Sequence, residues 1–265
     1  RQQKNNFNNH RIMLLGTESG ISFYQYMKQQ LPPSLFTHPS LFQTKLVQII
    51  HTMRPLFIGL QELFDLKICH LDISPWNTIY SKNSLKYIDF GESCLFHETN
   101  IFRQRSLTLV NSDHIYIPNP LEFIYYYASS KTLQEEYHDS KKHIYRAHYK
   151  IYKRIHTLFF KRKKTLHQHI KDILSNTYNR VPESEIIRSI DTYSLGMLLP
   201  FTISILCQEY KLPVSTLQTC LAYRNKELYE YISLFHTMTE LECKNRLSPK
   251  EVIRIYTTIY NKYHA

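Results

Sequence analysis

Apolar residues recur with helical spacing along most of the chain, and strand-like alternation is confined to a few short stretches. Residues 42–64 place Leu46, Ile49, Ile50, Met53, Leu56, Phe57, Leu60, Leu63 and Phe64 on one face of a 3.6-residue repeat. Pro55 falls inside that repeat and predicts a kink or a break, because proline has no N–H to donate and crowds the preceding turn. Residues 21–29 predict an earlier helix ended by Pro32-Pro33, and residues 11–15 a short strand before it. Ile79-Tyr80 and Tyr87-Ile88 flank the polar turn Ser81-Lys82-Asn83-Ser84, which predicts a hairpin. A long apolar helix is expected from Asp191 onward, with Pro200 inside it, and another from Pro249 to about Tyr260.

Between residues 141 and 171 the polar positions turn basic. That stretch holds eleven Lys/Arg and no acid, which equals the net charge of +11 for the whole chain. Ile144, Ile151, Ile155, Leu158, Phe159, Leu166, Ile170, Ile173 and Leu174 follow helical spacing there. The pattern predicts an amphipathic helix with its Lys/Arg face outward, either a solvated elaboration or a docking surface for an anionic partner, nucleic acid or acidic protein.

With 265 residues, 43% of them hydrophobic, the chain can bury one sizeable core. The longest apolar run, residues 195–207, is too short to span a bilayer. Five scattered cysteines with no C-x-x-C pair fit a reducing, intracellular compartment: the cytoplasm or, for a viral chain, the host cytoplasm or virion. Abundant Tyr, Ile, Lys and Asn is a mix common where coding DNA is AT-rich, as in many large DNA viruses and protists.

The chemistry concentrates in residues 70–91. They read His70-Leu71-Asp72-Ile73-Ser74-Pro75-Trp76-Asn77, then the hairpin, then Asp89-Phe90-Gly91. This resembles the H-x-D-x-x-x-x-N loop and D-F-G of the protein kinase superfamily. Pro120-Leu121-Glu122 resembles A-P-E, with Pro182-Glu183 a second candidate, residues 191–196 resemble the D-x-W-S-x-G start of the central helix with Tyr193 for Trp, and Asn245-Arg246-Leu247-Ser248 resembles N-R-x-[ST/A].

The resemblance covers residues 11–128 and 189–260. It implies a mainly α, kinase-like C-terminal lobe over residues 21–265, with a basic helical insertion at about 131–188. Residues 1–20 would be a remnant of N-lobe strand and hinge. No G-x-G-x-x-G and no strand lysine occur ahead of the hinge, so the N-lobe is largely absent, and the start at Arg1 leads us to expect a fragment, inactive alone.

The resemblance further implies transfer of the ATP γ-phosphate to a protein Ser/Thr hydroxyl, with ATP and Mg²⁺ as cofactors. Asp72 would orient and deprotonate the hydroxyl, Asn77 and Asp89 would bind Mg²⁺, Ile79 and Ile88 would line the adenine and metal site, and main chain at Leu15 and Thr17 would bond the adenine edge. His70, Asp191 and an ion pair between Glu122 and Arg246 would be structural.

Two departures matter: Leu71 stands where many kinases carry Arg, and Ser74 where Ser/Thr kinases carry the Lys that contacts the transferring phosphate. The alternatives are a small-molecule kinase of the aminoglycoside phosphotransferase kind, a pseudokinase scaffold, and a basic nucleic-acid-binding module on a dead lobe.

Overall fold

The computed structural model describes residues 20–111, 118–120, 123, 143–162, 168–169, 182–222 and 225–264. It is mainly helical, with two small sheets. The expected strand at 11–15, Leu15, Thr17 and Glu122 lie outside the described residues.

Strand β1 (Ile21–Ser22) leads into helix α1 (Phe23–Gln30), where the expectation was helix from residue 21. Ser22 fixes the helix start: its hydroxyl accepts the Gln25 N–H at 3.2 Å while Gln25 Oε1 accepts the Ser22 N–H at 3.2 Å. A 3₁₀ turn (Pro33–Thr37) leads to α2 (Pro39–Thr52). The apolar repeat of residues 42–64 is broken, as Pro55 predicts: α2 stops at Thr52, and α3 (Arg54–Asp65) starts anew with the proline in its first turn, where the missing N–H costs nothing.

Strand β2 (Ile68–Cys69) precedes the candidate loop, and β3 (Thr78–Ser81) and β4 (Ser84–Tyr87) form the expected hairpin after it. Ser81 faces Ser84, and the two residues between them, Lys82 and Asn83, both have positive φ (48° and 61°). That is the two-residue turn whose twist matches the flanking strands. β1 pairs antiparallel with β3, and β5 (Cys94–Leu95) pairs antiparallel with β2. Helix α4 (Thr99–Asn111) follows, in the stretch where an activation segment was expected.

Helix α5 (His143–Leu158) lies in the basic insertion and packs on α6 (Glu183–Glu209). Ile151, Ile155, Leu158 and Phe159 are buried, as the amphipathic pattern predicts, Tyr152 and Phe160 are buried as well, and Lys153 and Lys161 are exposed. Arg162 corrects the outward Lys/Arg face. It is buried, donates to His236 and to the Thr239 and His236 carbonyls, and pairs with Glu240.

Helix α7 (Val214–Cys220) packs on α2, α8 (Lys226–Met238) packs on α6, and α9 (Pro249–His264) packs on α8 and α3. By length and composition α6 is apolar enough to cross a membrane, yet 94% of its apolar window is buried inside the protein, the position of a core helix. It runs through Pro200 without a break. The main core is shared by α1, α2, α3, α5, α6, α8 and α9. A smaller one, made of Cys69, Leu71, Cys94, Phe102, Phe123, Ile186, Ile187, Ile190 and Cys243, lies under the candidate loop. All five cysteines are buried free thiols.

Gly196 lets α6 and α8 approach closely. A Cβ there would sit 2.8 Å from Met238 Cβ and 2.9 Å from Thr239 Cγ2, atoms close to the backbone at the end of α8. Gly196→Ala is therefore expected to lower stability by about 1–2 kcal/mol, an overpacking cost partly offset by better helix propensity. Urea denaturation measures it, and a more stable variant would show that α8 can retreat without loss.

Candidate active site

The loop between β2 and β3 is held from beneath by one buried carboxylate. Asp191, on α6, accepts the backbone N–H groups of His70 at 2.6 Å and Leu71 at 3.0 Å. Burial pushes its carboxyl up, while His70 and the two N–H bonds pull it back. Leu71 is fully buried in the smaller core and takes a left-handed conformation, φ 62°. A branched residue pays about 1–3 kcal/mol for such a conformation, so it persists only where neighbours impose it. Here they do so on both sides: Asp191 holds the Leu71 N–H, and the buried Asn119 donates its amide to the Leu71 carbonyl at 3.2 Å. The core position also explains a leucine where an arginine was the expectation, since a guanidinium there would be buried among Cys69, Phe102 and Phe123.

His70 is buried at the start of the loop. Its Nε2 lies 3.0 Å from the Ile88 carbonyl, and its Nδ1 lies 3.3 Å from the Asp72 backbone nitrogen. The ring thus ties the loop to the strand end that carries Asp89. Ser74, buried, accepts the N–H groups of Trp76 at 3.4 Å and Asn77 at 3.2 Å and closes the loop on itself.

Asp72 and Asn77 meet. The Asn77 amide donates to Asp72 Oδ2 at 2.8 Å and to the Asp72 carbonyl at 3.2 Å. The nitrogen end of the amide is thereby committed to Asp72, which leaves Oδ1 as the end able to take a ligand. Ile88 N–H donates to the Asn77 carbonyl at 3.0 Å, so the residue before Asp89 is anchored to the same loop. Asp89 is exposed and left-handed (φ 61°, ψ 70°), and its Oδ1 accepts the Gly91 N–H at 3.3 Å. Its charge is felt at Asp72. Burial is the main reason the Asp72 carboxyl lies above its ordinary range, Arg105 and His70 pull it down, and Asp89 and Glu92 push it up again. Ile79 and Ile88 are half-buried, Ile79 in register with Ser22 and Lys86.

Arg105 was not anticipated from the sequence. It comes from α4, is buried, and sets its Nη2 3.1 Å from Asp72 Oδ1 and its Nη1 3.7 Å from Glu92 Oε1. Its buried Nε has no hydrogen-bond partner among the described residues. Asn119 was also missed. Besides holding Leu71 it accepts the Ser194 hydroxyl at 2.9 Å on Oδ1 and the Tyr152 hydroxyl on its carbonyl. Loop, central helix and insertion helix α5 therefore converge on one buried amide. Neither residue sits in a motif, and only its long-range contacts single it out.

Arg246 is buried and fully engaged: it donates to Ser189 Oγ at 3.0 Å and to the Glu240 and Leu241 carbonyls, and its guanidinium lies 4.7 Å from the centre of the Tyr193 ring. Its expected partner Glu122 is outside the described residues.

By chemistry alone, Asn77 Oδ1 and the exposed Asp89 carboxylate are oxygen ligands of the kind Mg²⁺ takes, and Asp72 is hydrogen-bonded to Asn77. No family model, no curated protein and no solved structure matches this chain.

Proposed function

We propose that the chain is the C-lobe of a divergent, protein-kinase-like phosphotransferase that moves the ATP γ-phosphate to a Ser/Thr hydroxyl. The observation that carries this reading is the Asp72–Asn77 hydrogen bond within a loop that Asp191 holds by two backbone N–H groups. Spacing alone asks for a base and a metal ligand. This network supports it by orienting one carboxylate and turning one amide oxygen outward.

In this reading Asp72 accepts the proton of the attacking hydroxyl, Asn77 Oδ1 and Asp89 hold Mg²⁺, and the metal neutralises phosphate charge when bound. Arg105 supplies a cation beside Asp72 where Ser74 offers none. The ion pair opposes the burial that raises the Asp72 carboxyl, and the guanidinium is a fitting partner for phosphate oxygens. Basic residues 141–171 remain a candidate surface for an acidic protein or nucleic acid. Arg162, inside the fold, is not part of such a surface. The test is phosphate transfer from labelled Mg·ATP by the full-length gene product to Ser/Thr peptides and, in parallel, to small hydroxyl compounds. Transfer to peptides supports the reading, transfer only to small compounds replaces it with the small-molecule kinase, and no transfer to either leaves a scaffold.

The pH profile tests the Arg105 role. Asp72 works as a base only when ionised, so activity rises with pH through its pKa. Arg105 lowers that pKa, so Arg105→Gln is expected to move the acid limb to higher pH, while Arg105→Lys keeps it near the wild-type position. An acid limb unmoved in Arg105→Gln would separate Arg105 from the base.

A further inference from the structure

A second group of chemistry-bearing side chains takes no part in the phosphotransfer reading. His51 lies in the last turn of α2, Glu227 in the first turn of α8 and His264 at the end of α9. Glu227 Oε1 is 2.8 Å from His51 Nε2 and 3.0 Å from His264 Nε2. Among the described residues, this is the one group of three His, Cys, Asp or Glu side chains whose donor atoms all lie within 4.8 Å of one another. Two imidazole nitrogens and a carboxylate oxygen, from three helices distant in sequence, thus point at one place.

We propose that His51, Glu227 and His264 form a Zn²⁺ site that clamps the end of α9 to α2 and α8. Two imidazoles and one carboxylate are a known zinc donor set, and the imidazoles disfavour Mg²⁺ and Ca²⁺, which prefer all-oxygen shells. The geometry is close to what the ion needs. Ligand atoms about 2.0–2.1 Å from a tetrahedral ion lie roughly 3.4 Å apart. The two Nε2–Oε1 separations of 2.8 and 3.0 Å have only to open by a few tenths of an ångström.

Each ring would present the Nε2 lone pair to the metal, with its ring proton on Nδ1. Glu227 is largely buried and His264 is the exposed member, so the fourth position faces solvent on the His264 side and suits a water. The surroundings keep the ligands in place: the His51 ring meets Tyr231 and Tyr260 edge-on at 5.9 and 5.2 Å and the His264 ring at 4.5 Å. The five cysteines are all buried thiols, Cys94 and Cys207 each pushed up to about 12, which removes the usual competitors for zinc.

The experiment uses the full chain, stripped of metal with EDTA and titrated with Zn²⁺ alone in competition with a chromophoric chelator. Co²⁺ is substituted in parallel to read the visible bands of a four-coordinate site. One equivalent of Zn²⁺ is expected to bind and to raise the thermal midpoint. His51→Ala and His264→Ala are each expected to weaken binding at least tenfold and to abolish both the Co²⁺ bands and the midpoint rise. His264→Ala is the safer variant, since it changes a partly exposed side chain in the last turn of a helix and leaves the core untouched. His38→Ala, outside the cluster, is expected to bind like wild type. No stoichiometric binding, or binding that survives His264→Ala, would overturn the site and leave the three side chains as a hydrogen-bonded network.

Discussion

Replacing Asp191 by alanine is expected to cost about 2–6 kcal/mol of stability, from two buried backbone N–H groups left without an acceptor at about 1–3 kcal/mol each. That is a large share of the 5–15 kcal/mol typical of a domain. An opposing effect has to be weighed, because the ionised carboxylate is itself costly to bury and its carboxyl is pushed up for that reason. Alanine removes that cost along with the acceptor. The N–H groups win because they belong to His70 and Leu71, and Leu71 is left-handed and buried. Without Asp191 the loop can relax toward ordinary φ only by pulling Leu71 out of the smaller core, so one penalty is exchanged for another. Asp191→Asn keeps one acceptor oxygen but turns an amide N–H₂ toward the second donor, and is expected to fall between wild type and alanine. Urea denaturation followed by circular dichroism gives the numbers. A loss below about 1 kcal/mol for alanine would mean that water replaces the carboxylate, and that the loop is not held from α6.

What the sequence makes legible here is local. Pro55 divides one apolar repeat into two helices because a missing N–H acts within a turn of itself. Lys82-Asn83 makes a tight hairpin because a two-residue loop between strands takes one of the primed turns, here the one with positive φ at both residues. The loop from His70 to Asn77 is legible because the five-residue spacing of Asp72 and Asn77 brings their side chains together directly.

The contacts that fix the loop in space are not local. Arg105 reaches Asp72 from 33 positions away in an unpredicted helix, and Asn119 reaches Leu71 across 48. No periodicity marks either one. Arg162 shows the converse failure. It sits in a run of cations that reads as a solvated face, yet the chain turns after Phe160 and delivers it to Glu240 and His236. A charge pattern predicts exposure on average, and a single well-placed carboxylate is enough to reverse it for one residue. Leu71 shows how a departure from a motif becomes intelligible only in three dimensions: the position is buried and apolar, so the residue type follows from its packing.

The second large effect concerns activity with the fold retained. Under the proposed phosphotransferase reading, Asp89→Asn is expected to abolish measurable phosphotransfer while shifting stability by no more than about 0.5 kcal/mol, as for other exposed substitutions. Asp89 is exposed and its one described bond, from the Gly91 N–H, can be kept by an amide oxygen. What an amide cannot supply is the charge that Mg²⁺ and the transferring phosphate need. Asp72→Asn is expected to lower the rate by about 10²–10⁴, the usual worth of a positioned base. It also removes the charge facing Arg105, so a modest loss of stability accompanies it, limited by Glu92 at 3.7 Å from the same guanidinium. The two variants therefore separate the proposed roles: one charge lost at the exposed, proposed metal ligand with the fold unmoved, the other at the half-buried, proposed base with the fold slightly weakened. Retained transfer in Asp89→Asn at wild-type Mg²⁺ would contradict the metal assignment, whereas retained transfer in Asp72→Asn alone would leave the metal assignment standing and require a different group to take the hydroxyl proton.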